Sequence, residues 1–195
     1  MADALDTLVG RQSNSHVTLR PTRLQFLMTP LLSTDTIQAR VRALAIDIAR
    51  DHSEGVHLVC VLKGACIFLS DLARALACDV TFDFIALSSY KAGTHSSGQV
   101  QLLKDLGSPI EGRRVVIVED IVDTGLTLKY LQDILRARAP QSLRTACLLS
   151  KPSRREVDVA VDYVGFSIDD QFVVGYGLDH DERYRQLPYV AVLKL

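Results

Sequence analysis

"VVIVEDIVDTG", from Val115 to Gly125, sets four strand-forming apolar residues ahead of two adjacent carboxylates, two more apolar residues and an Asp-Thr-Gly turn. A short apolar run closed by such a turn fits a strand buried on both faces. The next segment, "LTLKYLQDILRARA" (126–139), carries apolar residues at helical spacing and is predicted to be a helix ended by Pro140. A buried strand feeding an amphipathic helix is the unit from which parallel sheets are built. Ligands of open parallel sheets bind beyond the carboxyl ends of the strands, which is where Glu119 and Asp120 stand. Like charges repel, and burying a carboxylate is costly unless it is paired. The pair therefore calls for a cationic or hydroxyl-rich partner that the neighbouring sequence does not supply.

Outward from this strand, the chain repeats the alternation. Ser33 and Asp35 start a helix whose Ile37, Val41, Leu44, Ala45 and Ile48 share one face. "HLVCVL" (57–62) is a short apolar strand followed by Lys63-Gly64, and "ACIFLSDLARAL" places Phe68, Leu69, Leu72 and Leu76 on one helical face. "DVTFDFIALSSY", "QVQLL", "SLRTACLLS", "VDVAVDYVGFSI" (157–168) and "QFVVGYG" read as further strands. "KAGTHSSG" (91–98) is too small and polar to bury much apolar area, and suits a flexible loop. The expected class is α/β, with a mostly parallel sheet covered on both faces. Residues 1 to about 28 are polar and aperiodic and are expected to form a loosely ordered arm.

Composition narrows the function. The 195 residues are 48% hydrophobic and 23% charged, which suits one compact domain. A chain of this length buries roughly 70% of its unfolded surface, so it needs neither metal nor disulfide for stability. A net charge of −1 gives no global attraction to nucleic acid or an anionic membrane, so neither is an expected partner. Cys60, Cys66, Cys78 and Cys147 form no CxxC pair and read as reduced small hydrophobes of a cytosolic protein. Met1–Arg20 lacks the apolar core of a signal peptide, so a soluble, cytoplasmic protein is expected. Leu193-Lys194-Leu195 shares two positions with the peroxisomal Ser-Lys-Leu address.

The turn after the strand adds chemistry. Gly125 lets the backbone bend closely, Thr124 and Thr127 flank it, and a helix begins. Free N–H groups at a helix start cradle phosphate. One loop thus offers acceptors at its start and an anion cradle at its end, which is what a sugar phosphate needs. A plain loop with solvated acids, or a signalling receiver domain with its acidic magnesium site, would share parts of this pattern.

The whole stretch Val115–Thr127 resembles the phosphoribosyl-pyrophosphate signature of type I phosphoribosyltransferases, and is most similar to their hypoxanthine-guanine members. "LVCVLKGACIFLSDLAR", "LSSY", "VEDIVDTGLTL", "LLSKPSRR", "VDYVGFSIDDQFVVGYGLDHDERYR" and "YVAVLK" follow the family's order and spacing over roughly residues 30 to 194. The resemblance implies a single-domain type I phosphoribosyltransferase fold over residues 29–195. It also implies a small hood drawn from about 29–35 and 165–195. It further implies magnesium as cofactor, phosphoribosyl pyrophosphate and a 6-oxopurine as substrates, and a homodimer or homotetramer.

Residue by residue, the resemblance assigns Glu119 and Asp120 to the ribose hydroxyls and to magnesium, and Asp123 to proton exchange with purine N7. Thr124, Gly125, Leu126 and Thr127 would hold the 5′-phosphate. Leu62, Lys63 and Gly64 match a pyrophosphate loop in which the peptide before lysine can be cis. Ser89 and Tyr90 open the flap that closes over pyrophosphate, and Arg185 would grip it with paired donors. Lys151 would bond the purine 6-oxo group, Phe172 would stack on the ring, and the Val173 carbonyl would read the N1/N2 edge. Asp179, bordering the purine pocket, would be a magnesium ligand. Gly177 stands where the family pattern suggests a side chain, and is expected to loosen the turn beneath Asp179.

The implied reaction joins a 6-oxopurine through N9 to C1 of phosphoribosyl pyrophosphate. Two alternatives keep the fold: a relative using xanthine or an orotate-like base, and a non-catalytic nucleotide sensor that binds RNA. The near-neutral charge argues against the latter.

Overall fold

The computed structural model describes residues 28–89 and 100–194, so most of the predicted arm and the loop from Tyr90 lie outside the described residues. Six strands form the main sheet: β2 (Val56–Leu62), β3 (Val80–Ser89), β4 (Val100–Lys104), β5 (Arg114–Val122), β6 (Ser142–Ser150) and β7 (Tyr163–Ser167). Their spatial order is β4-β3-β2-β5-β6-β7. All neighbouring pairs are parallel except the edge strand β4, which returns antiparallel to β3.

Alternation along each strand sends side chains to two separate cores. Leu58 and Cys60 of β2 and Val116 and Val118 of β5 join one core with α1 (Thr34–Asp51) and α2 (Cys66–Ala75). Val59 and Val61 join Val115 and Ile117 in the other, beneath Leu128, Leu131 and Leu135 of α3 (Leu126–Arg136). Both faces are therefore covered, as the run of apolar strands requires. Ser33 caps α1, its hydroxyl accepting from Thr36 N–H at 3.2 Å.

Because α2 and α3 pack on opposite faces, the winding reverses between β2 and β5. The crevice at such a reversal is the ligand position of open α/β sheets. Lys63-Gly64 leaves the end of β2 and Asp123–Thr127 the end of β5, side by side. β5 runs four residues past the expected Val118, so Glu119 and Asp120 stand in its last ladder positions rather than beyond it. A second, antiparallel sheet, β1 (Met28–Leu32), β9 (Val190–Leu193) and β8 (Val173–Val174), joins the two ends of the described chain.

Several predicted elements come out shorter; of "QFVVGYG" only Val173–Val174 forms a strand, the chain turning at Gly175 and Gly177. Residues 157–162 alternate valine with aspartate or alanine as a strand would, yet β7 begins only at Tyr163. The Asp162 carboxylate accepts from Thr145 N–H at 2.8 Å, taking the place of a ladder carbonyl, while Val159 and Val161 pack onto the α3 core. Helix α3 stops at Arg136, three residues before the predicted end, and Ala139 turns to φ 51° ahead of Pro140.

Candidate functional site

The loop leaving β5 is held in shape by backbone geometry and by one arginine. Gly125 adopts φ +88°, and a Cβ there would lie 2.9 Å from Val159 Cγ1, so glycine is required on both counts. It precedes α3, whose first N–H groups have no intrahelical acceptors. Arg155 Nη1 donates to the carbonyls of Val122, at 2.5 Å, and Asp123, while Nη2 donates to Ser150 Oγ at 2.9 Å. Glu119, Asp123, Thr124, Gly125 and Thr127 line a cavity of about 110 Å3 at this turn.

The adjacent acids at the end of β5 face different neighbours. Glu119 borders the cavity and is buried; burial, with Asp120 beside it, holds its carboxyl well above the usual range. Asp120 lies against the loop after β2: a Cβ on Gly64 would fall 1.6 Å from Asp120 Oδ2. Burial pushes Asp120 up to about 6, although its Oδ1 accepts from Ile121 N–H at 2.8 Å. The peptide joining Leu62 to Lys63 is cis.

Gly177 corrects the expectation of a loosened turn. It has φ +101°, and a Cβ would meet the Gly64 carbonyl at 2.0 Å. Its absent side chain is what lets the Gly175–Asp179 turn close down on the loop after β2. Beyond it, Arg185 donates through Nη1 to the Gly177 carbonyl at 2.7 Å and pairs through Nη2 with Asp179 Oδ1 at 2.8 Å. Asp179 Oδ2 accepts from Glu182 N–H at 2.9 Å. Lys63 Nζ pairs with Glu182 Oε2 at 2.9 Å.

The far end of the crevice carries a charge-balanced cluster. Buried Lys151 reaches Asp170 Oδ1 at 3.4 Å and Asp123 Oδ2 at 3.9 Å. Arg154 Nε donates to Asp123 Oδ1 at 3.2 Å. Nearby Phe172 is 43% exposed, its ring edge-on to His180 with centroids 5.4 Å apart, so one face is open to a planar ligand. Val173 comes next, buried at the start of β8.

Most predicted positions thus meet along one crevice: Lys63 and Arg185 at one end, Glu119 and the 124–127 turn in the middle, Lys151 and Phe172 at the other. Ser89 ends β3, and Tyr90 lies outside the described residues. The residues expected to serve magnesium, Glu119, Asp120 and Asp179, do not form one cluster. Among the described residues no three such groups converge on one point. Glu119 and Asp120 face different ways, and Asp179 is engaged by Arg185. The sequence assigns no role to Arg154, Arg155, Asp170 or Glu182, although all four lie in the stretches "LLSKPSRR" and "VDYVGFSIDDQFVVGYGLDHDERYR" that carry the resemblance.

The phosphoribosyl transferase domain family matches residues 31–181. The chain is 49% identical over 170 residues to the hypoxanthine-guanine phosphoribosyltransferase of Mycobacterium tuberculosis, covering 84% of each. A Staphylococcus aureus hypoxanthine phosphoribosyltransferase superposes with a TM-score of 0.86 at 42% identity, covering 90% of this chain and 97% of that one. A Bacillus anthracis hypoxanthine-guanine phosphoribosyltransferase gives 0.82 at 46%, covering 85% and 98%. These relatives are bacterial and give no support to reading the last three residues as an organelle address; among the described residues no helix is long and apolar enough to cross a membrane. Sequence and architecture agree, and the chain belongs to the phosphoribosyl transferase domain family, among its hypoxanthine-guanine phosphoribosyltransferases.

Proposed function

We propose that this chain is a cytoplasmic purine-salvage enzyme. It moves the 5-phosphoribosyl group from phosphoribosyl pyrophosphate to N9 of hypoxanthine or guanine, giving IMP or GMP and pyrophosphate. The observation that carries this reading is the turn at Gly125. It sets a phosphate-sized cavity and a helix start between the Lys63–Arg185 end, whose cations are paired with Glu182 and Asp179, and the Lys151–Phe172 end of one crevice. Such spacing suits a substrate with pyrophosphate on one side of a ribose and a base on the other.

The 5′-phosphate sits on the N–H groups from Thr124 to Thr127 with the two threonine hydroxyls. Glu119 and Asp120 accept from the ribose hydroxyls, which gives the buried acids partners. Lys151 donates to the 6-oxo group, Phe172 stacks on the purine, and the Val173 carbonyl accepts from the N1/N2 edge, favouring guanine over xanthine. Leaving pyrophosphate builds positive charge on the ribose ring, as in glycoside cleavage. Lys63 and Arg185 take up the charge of the departing group. Asp123, beside Lys151 and Arg154, exchanges the proton at N7. The oxygen donors of Asp120 and Asp179 suit magnesium, which keeps its waters and needs few carboxylates, and when bound it would neutralise phosphate charge. The protein assembles as a homodimer or homotetramer.

The test is product formation. With magnesium and phosphoribosyl pyrophosphate, hypoxanthine and guanine are expected to yield nucleotide and equimolar pyrophosphate, with xanthine, adenine and orotate poor. No nucleotide from any base would overturn the reading.

A further inference from the structure

Resting on that reading of the site, we propose that Glu182 is a built-in counter-ion of the pyrophosphate end. It occupies the cations that pyrophosphate must take, and so sets how tightly that group is held. One oxygen, Glu182 Oε2, lies 2.9 Å from Lys63 Nζ and 3.6 Å from Arg185 Nη2. It therefore bridges two cations, one of them 119 residues away along the chain and both adjacent in the fold.

The surrounding backbone is shaped to deliver it. Asp181, Glu182 and Tyr184 have φ of 51°, 62° and 77°, a left-handed run that residues with side chains seldom adopt. The turn is closed by His180 N–H to the Arg183 carbonyl at 3.2 Å and the reverse bond at 3.1 Å. Glu182 N–H is tied to Asp179 at 2.9 Å. Arg185 keeps a buried Nε with no partner, so its guanidinium has donor capacity that the carboxylate leaves unused.

The pair is also easy to displace. Lys63 and Glu182 side chains are 67% and 66% exposed, and an exposed ion pair contributes little. A single carboxylate holds the two cations against monovalent anions, whereas a pyrophosphate group offers several oxygens and more charge and outcompetes it. Release runs in reverse: as pyrophosphate leaves, Glu182 re-forms its two contacts and opposes rebinding. A purely architectural role for this residue predicts that its loss weakens the site; competition predicts that its loss tightens it.

The deciding experiment is calorimetric titration of pyrophosphate into the full-length protein and its Glu182→Gln variant, with magnesium and with a chelator. The variant is expected to bind roughly threefold to fivefold more tightly in both arms, the size of exposed ion-pair effects, with the gain shrinking at high salt. Its KM for phosphoribosyl pyrophosphate should fall by a similar factor, while kcat does not rise. Equal or weaker binding by the variant overturns the proposal. So does weakening confined to the magnesium arm, which would make Glu182 a metal ligand instead. Failure of the unaltered protein to bind pyrophosphate or form nucleotide would instead remove the reading of the site itself.

Discussion

Glu119 and Asp120 show what adjacent buried carboxylates cost a protein when nothing partners them. Both carboxyls are raised by burial, so the folded chain holds protons that the unfolded chain releases. Stability from these groups is present at low pH and is lost as pH rises from the ordinary value of 4.5 or 3.8. At neutral pH each ionised acid is a burden, relieved only by a bound partner. Glu119→Gln is therefore expected to stabilise the ligand-free protein at pH 7.5 by on the order of 1 kcal/mol, raising its Tm, while nucleotide formation drops severely. Thermal melts with and without substrate measure this; a lower Tm in the variant would contradict it. For Asp123, whose carboxylate meets Lys151 and Arg154, Asp123→Asn should reduce kcat much more than substrate affinity. Equal losses in steady-state kinetics would count against proton exchange.

Among the elements, the loop after β5 depends on the segment after β6. Arg155 joins the carbonyls of Val122 and Asp123 to Ser150, fixing the turn that carries the proposed catalytic acid. Arg155→Ala leaves those carbonyls short of donors and is expected to destabilise the fold by about 1–3 kcal/mol. Arg155→Lys should rescue little, because a point ammonium cannot reach both sides of the fork. Urea titrations with activity assays check this, and full rescue by lysine would argue against the fork. Arg155 also marks the boundary of what sequence could reveal. Strands β2, β5 and β6 and the three helices were legible because period and burial coincide in them. So was the Glu119–Thr127 turn, which packs its chemistry into contiguous residues. Arg155, Arg154 and Glu182 act across the fold, where local pattern carries no signal. The valines at 157, 159 and 161 misled for a related reason: Val159 and Val161 serve the α3 core through an irregular segment, not a ladder. Gly177 reads as a loosening residue until its φ and the Gly64 carbonyl are seen together.

For the molecule as a whole, pH stability should also reflect two buried histidines. His52 has neither ring nitrogen hydrogen-bonded, and burial, then nearby Arg144, lowers its pKa. His57 is lowered by burial and then by Arg113. Groups whose folded pKa lies below the ordinary 6.5 contribute fully above that pH and are lost as it falls. The histidine contribution to stability should therefore decline below about pH 6.5, and His52→Leu should remove its share of that decline without loss at pH 8. Melts from pH 8 to 5 compare the two chains directly; parallel curves would show that His52 does not titrate on unfolding. The raised acids act in the opposite sense over an overlapping pH range, up to about 6 for Asp120, so the difference between variant and parent is the informative quantity.

In the proposed function the sheet, with its winding reversed between β2 and β5, presents the Thr124–Thr127 turn to the sugar phosphate. A crystal structure of the protein with phosphoribosyl pyrophosphate and magnesium tests that most directly. The 5′-phosphate is expected on the N–H groups of Thr124–Thr127, with ribose hydroxyls on the Glu119–Asp120 side and pyrophosphate between Lys63 and Arg185 in place of Glu182. A sugar bound elsewhere, with this turn bare, would contradict it.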